Sequence, residues 1–250
     1  MKKKKIVRVK AVQDKEFKNS YWSFDISSET RKAFEEFEQQ FGIGFELINI
    51  RDWGPTDDPN IRNFPMNIIQ QIPKGISVEE IIEWLIDAFR KQIGITLRVS
   101  REEKDDICRR LKDEPLRYQH GFFEGRLESW LKECIFQNLE EKEPIEPEIG
   151  FTIACTGKFS VKSFWAGAVP GTSSVFTKDA YILMRNFWIW GKKPSHVILH
   201  EIGHLFGAKD IEDNSVVSIM THKPKKITYK FDRKNRKIIL NKLKQIKELN

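Results

Sequence analysis

His200-Glu201-Ile202-Gly203-His204-Leu205-Phe206-Gly207-Ala208-Lys209-Asp210 is the stretch from which the rest of this 250-residue chain is best read. Two histidines stand four apart, with a glutamate directly after the first. On a helix such a pair shares one face, a turn apart, so His200 and His204 can aim ring nitrogens at one ion. Glu201 lies about 100° further round, beside that ion. Neutral imidazole suits Zn²⁺, and a carboxylate next to a zinc-activated water can take its proton. A helix continuing past His204 would carry any further ligand away. Gly207 can adopt positive φ and turn the chain, which makes Asp210 available as a third ligand. Three protein ligands with a fourth position for water is the catalytic pattern, whereas structural zinc sites are closed by four.

The flanks fit a helix that carries such a site. Pro194 and Ser195 make a start, with Ser195 as the expected cap. Ile198, Leu199, Ile202, Leu205 and Phe206 fall on one arc and should face a core, with His200, Glu201 and His204 opposite. His196 sits a further turn back. It is eight residues from His204, about 12 Å along the axis, so it is read as a lining or capping residue and not as a ligand.

These residues resemble the metzincins, a clan of zinc-dependent endopeptidases whose long motif HExxHxxGxxH, or HExxHxxGxxD, corresponds to His200, Glu201, His204, Gly207 and Asp210. Metzincins also carry a methionine in a turn beneath the metal. Ser-Ile-Met ends here at Met220, ten residues after Asp210, and is similar to that Met-turn. The aspartate variant is similar to the small bacterial snapalysin-type enzymes. The cysteine pair that follows the motif in archaemetzincins is absent, and the motif assigns the clan and not a family within it.

The resemblance implies an α+β or α/β catalytic domain: a twisted mixed sheet with an antiparallel edge strand, two long helices and a small C-terminal subdomain. It places the subdomain boundary between 1–206 and 207–250, with a variable charged insertion at about 100–148. Zn²⁺ is the implied cofactor, held by His200, His204 and Asp210, with Glu201 as general base. Gly207 and Met220 are structural at the site. In the clan a strand before the metal helix binds substrate backbone by strand addition. The candidate is Ser163–Val169, where Ala166, Gly167 and Ala168 would let a peptide approach closely. Some metzincins place a tyrosine two residues after the methionine. His222 occupies that position here, as an oxyanion donor or a solvated loop residue.

Composition limits the alternatives. Charged residues make up 32% of the chain and hydrophobic ones 40%, the balance of a globular protein. No apolar run reaches the length of a membrane span. Met1–Lys10 is basic, but Arg8 and Lys10 interrupt any apolar core. It reads as a strand and not as a secretory signal, so the expected location is the cytoplasm. Cys108, Cys134 and Cys155 are sparse and unpaired in spacing, which fits a reducing compartment. The expected partner is a protein or peptide substrate, and the expected state a monomer.

The N-terminal part alternates as an α/β layer does. A strand is expected over 5–12, then a helix capped by Ser27 or Ser28 and stopped at Gly42. A second strand follows over 45–51, then a long loop over 52–76. Ser77 opens a helix to about Gln92 with Val78, Ile81, Ile82, Leu85 and Phe89 buried. A strand is expected over 95–99. Residues 100–140 predict one or two helices, with Tyr118–Arg126 as a packed turn or a substrate-facing loop. Residues 140–148 read as a linker. Further strands are expected near 150–155, 164–169 and 180–185.

From Lys223 onward the chain carries eleven Lys or Arg against two acids, more net positive charge than the +7 of the whole. Ile239, Leu243 and Ile246 have helical spacing, so an amphipathic helix from Asp232 to about Leu249 is expected. Its basic face is either solvated or a contact for nucleic acid. The rivals to a peptidase are therefore a nucleic-acid-associated metalloprotease or binding protein recruited by this tail, and an inactive zinc-binding relative. Hydrolysis of a non-peptide amide uses the same chemistry.

Overall fold

The computed structural model describes residues 6–21, 23–65, 67–94, 97, 99–146, 148–157, 171–173, 181–185, 193–221 and 226–248. The chain divides into two compact units. Described residues of Met1–Trp53, Pro144–Phe159 and Val169–Asn250 form the first, and Gly54–Glu143 supplies the second. Both sides of position 206 lie in the first unit.

The first unit is a mixed α/β layer. Strand β1 (Ile6–Gln13) leads through a one-turn helix, α1 (Lys15–Lys18), to α2 (Ile26–Phe41). Asp25, not Ser27 or Ser28, caps α2 by accepting from the Ser28 N–H. The helix stops at Gly42, whose φ of 70° is the left-handed conformation that glycine adopts without a Cβ clash. Strand β2 (Gly44–Asp52) then returns parallel to β1, in a register that pairs Val9 with Leu47. Much later, β3 (Ile149–Thr156) pairs parallel to the other side of β1. Beyond β4 (Gly171–Ser173) comes β5 (Tyr181–Arg185), parallel to β3. The order is β2-β1-β3-β5-β4, so the four longer strands are all parallel. The three-residue β4 pairs antiparallel with β5 at the edge. It is not the expected Ser163–Val169 strand, which lies outside the described residues.

Two helices complete this unit: α7 (Pro194–Leu205), which carries the histidine motif, and α8 (Arg233–Glu248). Parallel strands are covered by the helices that connect them, so β3 reads as a nearly continuous buried run and β1 is buried over Val9–Val12. One core joins sheet and helices, from Val9, Ala11, Ile153, Ile182 and Met184 to Ile198, Leu199, Ile202, Ile239 and Leu243. Phe37 of α2 is fully buried at its centre. Its ring lies 5.2 Å from Phe45 and 5.2 Å from Phe206, the residue that ends α7. Gln40 of α2 donates to the Tyr229 carbonyl and accepts from the Phe231 N–H, tying the approach to α8 onto the same helix.

The second unit is helical. The expected loop over 52–76 contains α3 (Pro59–Arg62) and two 3₁₀ turns, Pro55–Asp57 and Ile68–Gln71, with Ile61, Ile68 and Ile69 buried. Next comes α4 (Val78–Ile93), opened by a Ser77–Glu80 capping box and burying the predicted stripe. Then follow α5 (Arg101–Leu111) and α6 (Leu116–Lys142). Tyr118–Arg126 is neither turn nor loop: it lies inside α6. Phe123, Leu127, Leu131, Ile135 and Leu139 recur every fourth residue and are all buried, which holds the helix through Gly121 and Gly125. Three residues of the expected strand over 95–99 lie outside the described residues, and Leu97 and Val99 are irregular. Among the described residues no helix is long and apolar enough to cross a membrane.

Candidate metal centre

Helix α7 is buried almost all round, not amphipathic in the simple sense its sequence suggests. Ile198, Leu199 and Ile202 face the core, and Glu201 on the motif side is also only 2% exposed. Its N-terminus is held from outside. Lys193 occupies the cap position and Pro194 the first turn, and the Ser195 N–H donates to the Glu29 carboxylate of α2 at 2.8 Å. An acidic side chain at a helix N-terminus meets both a free N–H and the positive end of the dipole. Ser195 is therefore not the cap. Its hydroxyl lies 3.1 Å from the Tyr229 hydroxyl. His196 is buried, edge-on to the Tyr229 ring at 5.5 Å, and is not one of the three residues that cluster as candidate ligands.

At the other end, Gly207 takes φ 86°. The Ala208 N–H returns to the Gly203 carbonyl at 2.9 Å, the Gly207 N–H to the His204 carbonyl at 2.9 Å, and the chain reverses. Asp210 is thereby brought back beside the histidines. The Nε2 atoms of His200 and His204 lie 3.1 Å apart, and Oδ1 of Asp210 is 3.2 Å from the first and 3.4 Å from the second. Zinc–nitrogen and zinc–oxygen bonds are about 2.0–2.1 Å, so two ligands of a tetrahedral ion stand about 3.3 Å apart. The triangle matches that edge on all three sides.

Tautomers sharpen the fit. His200 Nδ1 is 2.9 Å from the Ile219 carbonyl, and His204 Nδ1 is 2.9 Å from the Ala208 carbonyl. A carbonyl only accepts, so each Nδ1 carries the hydrogen. In the neutral imidazoles both Nε2 lone pairs then point inward with a carboxylate oxygen. Three electron-rich atoms this close require a cation or a proton between them. Burial pushes the His204 imidazole toward the neutral form, but the Asp210 hydrogen bond, with Glu201 and the Ala208 carbonyl, outweighs it and raises its pKa. Hydrogen bonds from His200 and then His204 hold the Asp210 carboxyl well below the usual carboxylate range. The side chains of His200 and His204 are 15% and 20% exposed and that of Asp210 is 57%, so the triangle is open to solvent on the aspartate side. Among the described residues these three form the one cluster able to hold a metal ion.

Met220 is fully buried against α7, where a Cβ added to Gly203 would come 2.9 Å from its Sδ. Gly203 is the residue between the two histidines that this approach requires to be small. The methionine segment also supplies the Ile219 carbonyl that orients His200, and the Met220 carbonyl accepts from the Ile211 N–H at 2.8 Å. His222 and the Ala166, Gly167, Ala168 stretch lie outside the described residues.

Two supporting groups gave no readable signal in the sequence. Ser218 donates to the Asp232 carboxylate at 2.9 Å and accepts from the Met220 N–H. Asn235, on the first turn of α8, grips the backbone of Lys209. Asp232 caps α8, accepting from the N–H groups of Lys234 and Asn235. Arg233, Lys234, Lys237, Lys242 and Lys244 of that helix are exposed, while Ile239 and Leu243 are buried, as expected of its two faces. No family model matches the chain, and the comparison with curated proteins finds no relative.

Proposed function

We propose that this chain is a metzincin-like zinc-dependent endopeptidase. The observation that carries the reading is the triangle of His200 Nε2, His204 Nε2 and Asp210 Oδ1, sized for a tetrahedral ion and leaving a position for water or substrate. A Zn²⁺ held there supplies Lewis acidity toward a scissile carbonyl and toward water. Glu201 follows His200 directly and is buried beside the triangle. Its carboxylate accepts the water's proton during attack and delivers it to the leaving amine. Water is the nucleophile, so no acyl-enzyme forms. The Ala208 and Ile219 carbonyls hold the histidines in orientation, as metal-bound histidines generally require, and Met220 packs on Gly203 between them. A purely structural zinc site would not need Glu201.

Incubation with a mixed peptide library tests this reading. The zinc-loaded protein should cut internal peptide bonds and stop when the metal is chelated. A protein that binds zinc and cuts nothing would leave the inactive zinc-binding relative as the better account. The exposed cations of α8 favour a second role, contact with nucleic-acid phosphates. A gel shift that weakens with salt and disappears when the exposed Lys237, Lys242 and Lys244 are changed together to Glu would support it.

A further inference from the structure

Asp210 is the most exposed of the three ligands, so side-chain packing does little to aim it. Its position is set by the backbone on either side. After it, the Ile211 N–H donates to the Met220 carbonyl, and Ile211 bridges Thr221. Before it stands Lys209, whose N–H donates to Oδ1 of Asn235 at 2.8 Å and whose carbonyl accepts from Nδ2 of Asn235 at 3.0 Å. The second Nδ2 hydrogen is directed to Asp232 at 2.8 Å. Both N–H bonds and the oxygen of this amide are therefore used, at a site only 2% exposed.

We propose that Asn235 is a positioning residue for the metal centre, fixing through Lys209 the peptide from which Asp210 leaves. This inference rests on the zinc reading above. The Lys209 carbonyl belongs to the peptide whose nitrogen is that of Asp210. Holding Lys209 at both its N–H and its C=O fixes that peptide plane, so that χ1 and χ2 are the main freedoms left to the carboxylate. Only an amide of this length offers a donor and an acceptor to one residue's backbone: aspartate lacks the donor, and alanine lacks both. Asp232, which orients the Asn235 amide, also receives the Ser218 hydroxyl. The first turn of α8 thereby braces both the loop bearing Asp210 and the segment bearing Met220. That gives the C-terminal helix a role at the site to which none of its residues is a ligand.

The test compares wild type, Asn235→Ala, Asn235→Asp and Ile239→Ala by zinc competition against a chromogenic chelator. Apo-protein melting and the visible spectrum of the Co²⁺ form are measured in parallel. Ile239 is buried in the same helix and absent from the clamp, so Ile239→Ala reports what loosening α8 does by itself. Asn235→Ala should weaken zinc about ten- to a hundredfold, the usual effect of removing a group that orients a ligand, and should alter the Co²⁺ bands. Asn235→Asp keeps the acceptor for the Lys209 N–H but turns an oxygen toward the Lys209 carbonyl and the Asp232 carboxylate, so it should lose at least as much. Apo-protein melting shows which variants fold, and Asn235→Ser stands in for one that does not. Ile239→Ala should melt lower yet bind zinc as wild type does. Unchanged affinity in the Asn235 variants, or an equal loss in Ile239→Ala, overturns the inference and leaves the metal site standing. A wild type that does not bind zinc overturns both.

Discussion

His200 and His204 present their Nε2 atoms to each other at 3.1 Å while each Nδ1 donates to a backbone carbonyl. Two neutral imidazoles so arranged repel until something positive lies between them. A ligand that binds the folded form alone stabilises it by mass action. Zinc at a hundredfold excess over its dissociation constant should add about 2.7 kcal/mol. For a chain of this size that is about 5 to 10 °C in Tm. Differential scanning fluorimetry with and without chelator checks this. His204→Ala should melt at the same temperature in both conditions.

Gly203 and Met220 meet at a contact with no room for a methyl group. A Cβ at Gly203 would fall 2.6 Å from the Phe231 ring as well as 2.9 Å from the methionine sulfur. Gly203→Ala should destabilise by about 1–3 kcal/mol, as overpacking does. Met220→Leu conserves volume and should cost under about 1.5 kcal/mol. Met220→Ala opens a cavity in a fully buried site and should cost about 2–5 kcal/mol. Urea titration of the three variants measures the order.

Gly207 turns the chain in the left-handed region at φ 86°. An alanine there pays about 1–2 kcal/mol of backbone strain. Its Cβ would also stand 3.4 Å from Ile238, within ordinary contact. Gly207→Ala should therefore lower stability by about that amount and weaken zinc binding, because the turn delivers Asp210. Equal zinc affinity in the variant would show that the ligand reaches its place without this turn.

Asp232 supplies an acid-sensitive contribution. Burial pushes its carboxyl up, but hydrogen bonds from Asn235, Ser218 and Lys234 outweigh burial and hold it below its ordinary 3.8. A carboxylate with a depressed folded pKa stabilises the protein fully above its unfolded value and loses that contribution as pH falls through the folded one. Asp232→Ala should cost about 1 kcal/mol near neutrality, as loss of a helix cap does. It should also lose less stability than wild type between about pH 5 and about pH 3. Urea unfolding across that interval measures both.

Local signals carried much of this architecture. Ser77 with Glu80, and glycine at 42, mark helix ends through bonds made within a few residues, so they are readable in the chain. The histidine spacing and the glycine turn are local in the same way, and they place all three ligand candidates. What failed was mostly tertiary. Glu29 of α2 displaces Ser195 as the group at the start of α7, and no pattern near 195 announces a carboxylate 166 residues away. Asp25 won over Ser27 and Ser28 by being the residue directly before the first helical position. Within 118–126 two glycines and a run of aromatics look like a turn, yet burial of every fourth residue outweighs the glycine cost. Asn235 is an ordinary asparagine in a basic helix until Lys209 is seen in its grip.

Glu201 carries the central claim, because it is the residue by which the proposed zinc site would act as a hydrolase. A positioned general base contributes about 10²–10⁴ in rate. The decisive measurement is the peptide-cleavage rate of zinc-loaded wild type beside Glu201→Ala at equal metal content. The variant should keep its zinc and lose at least about a hundredfold in rate. Undiminished cleavage by zinc-loaded Glu201→Ala would contradict the role of Glu201 as the general base.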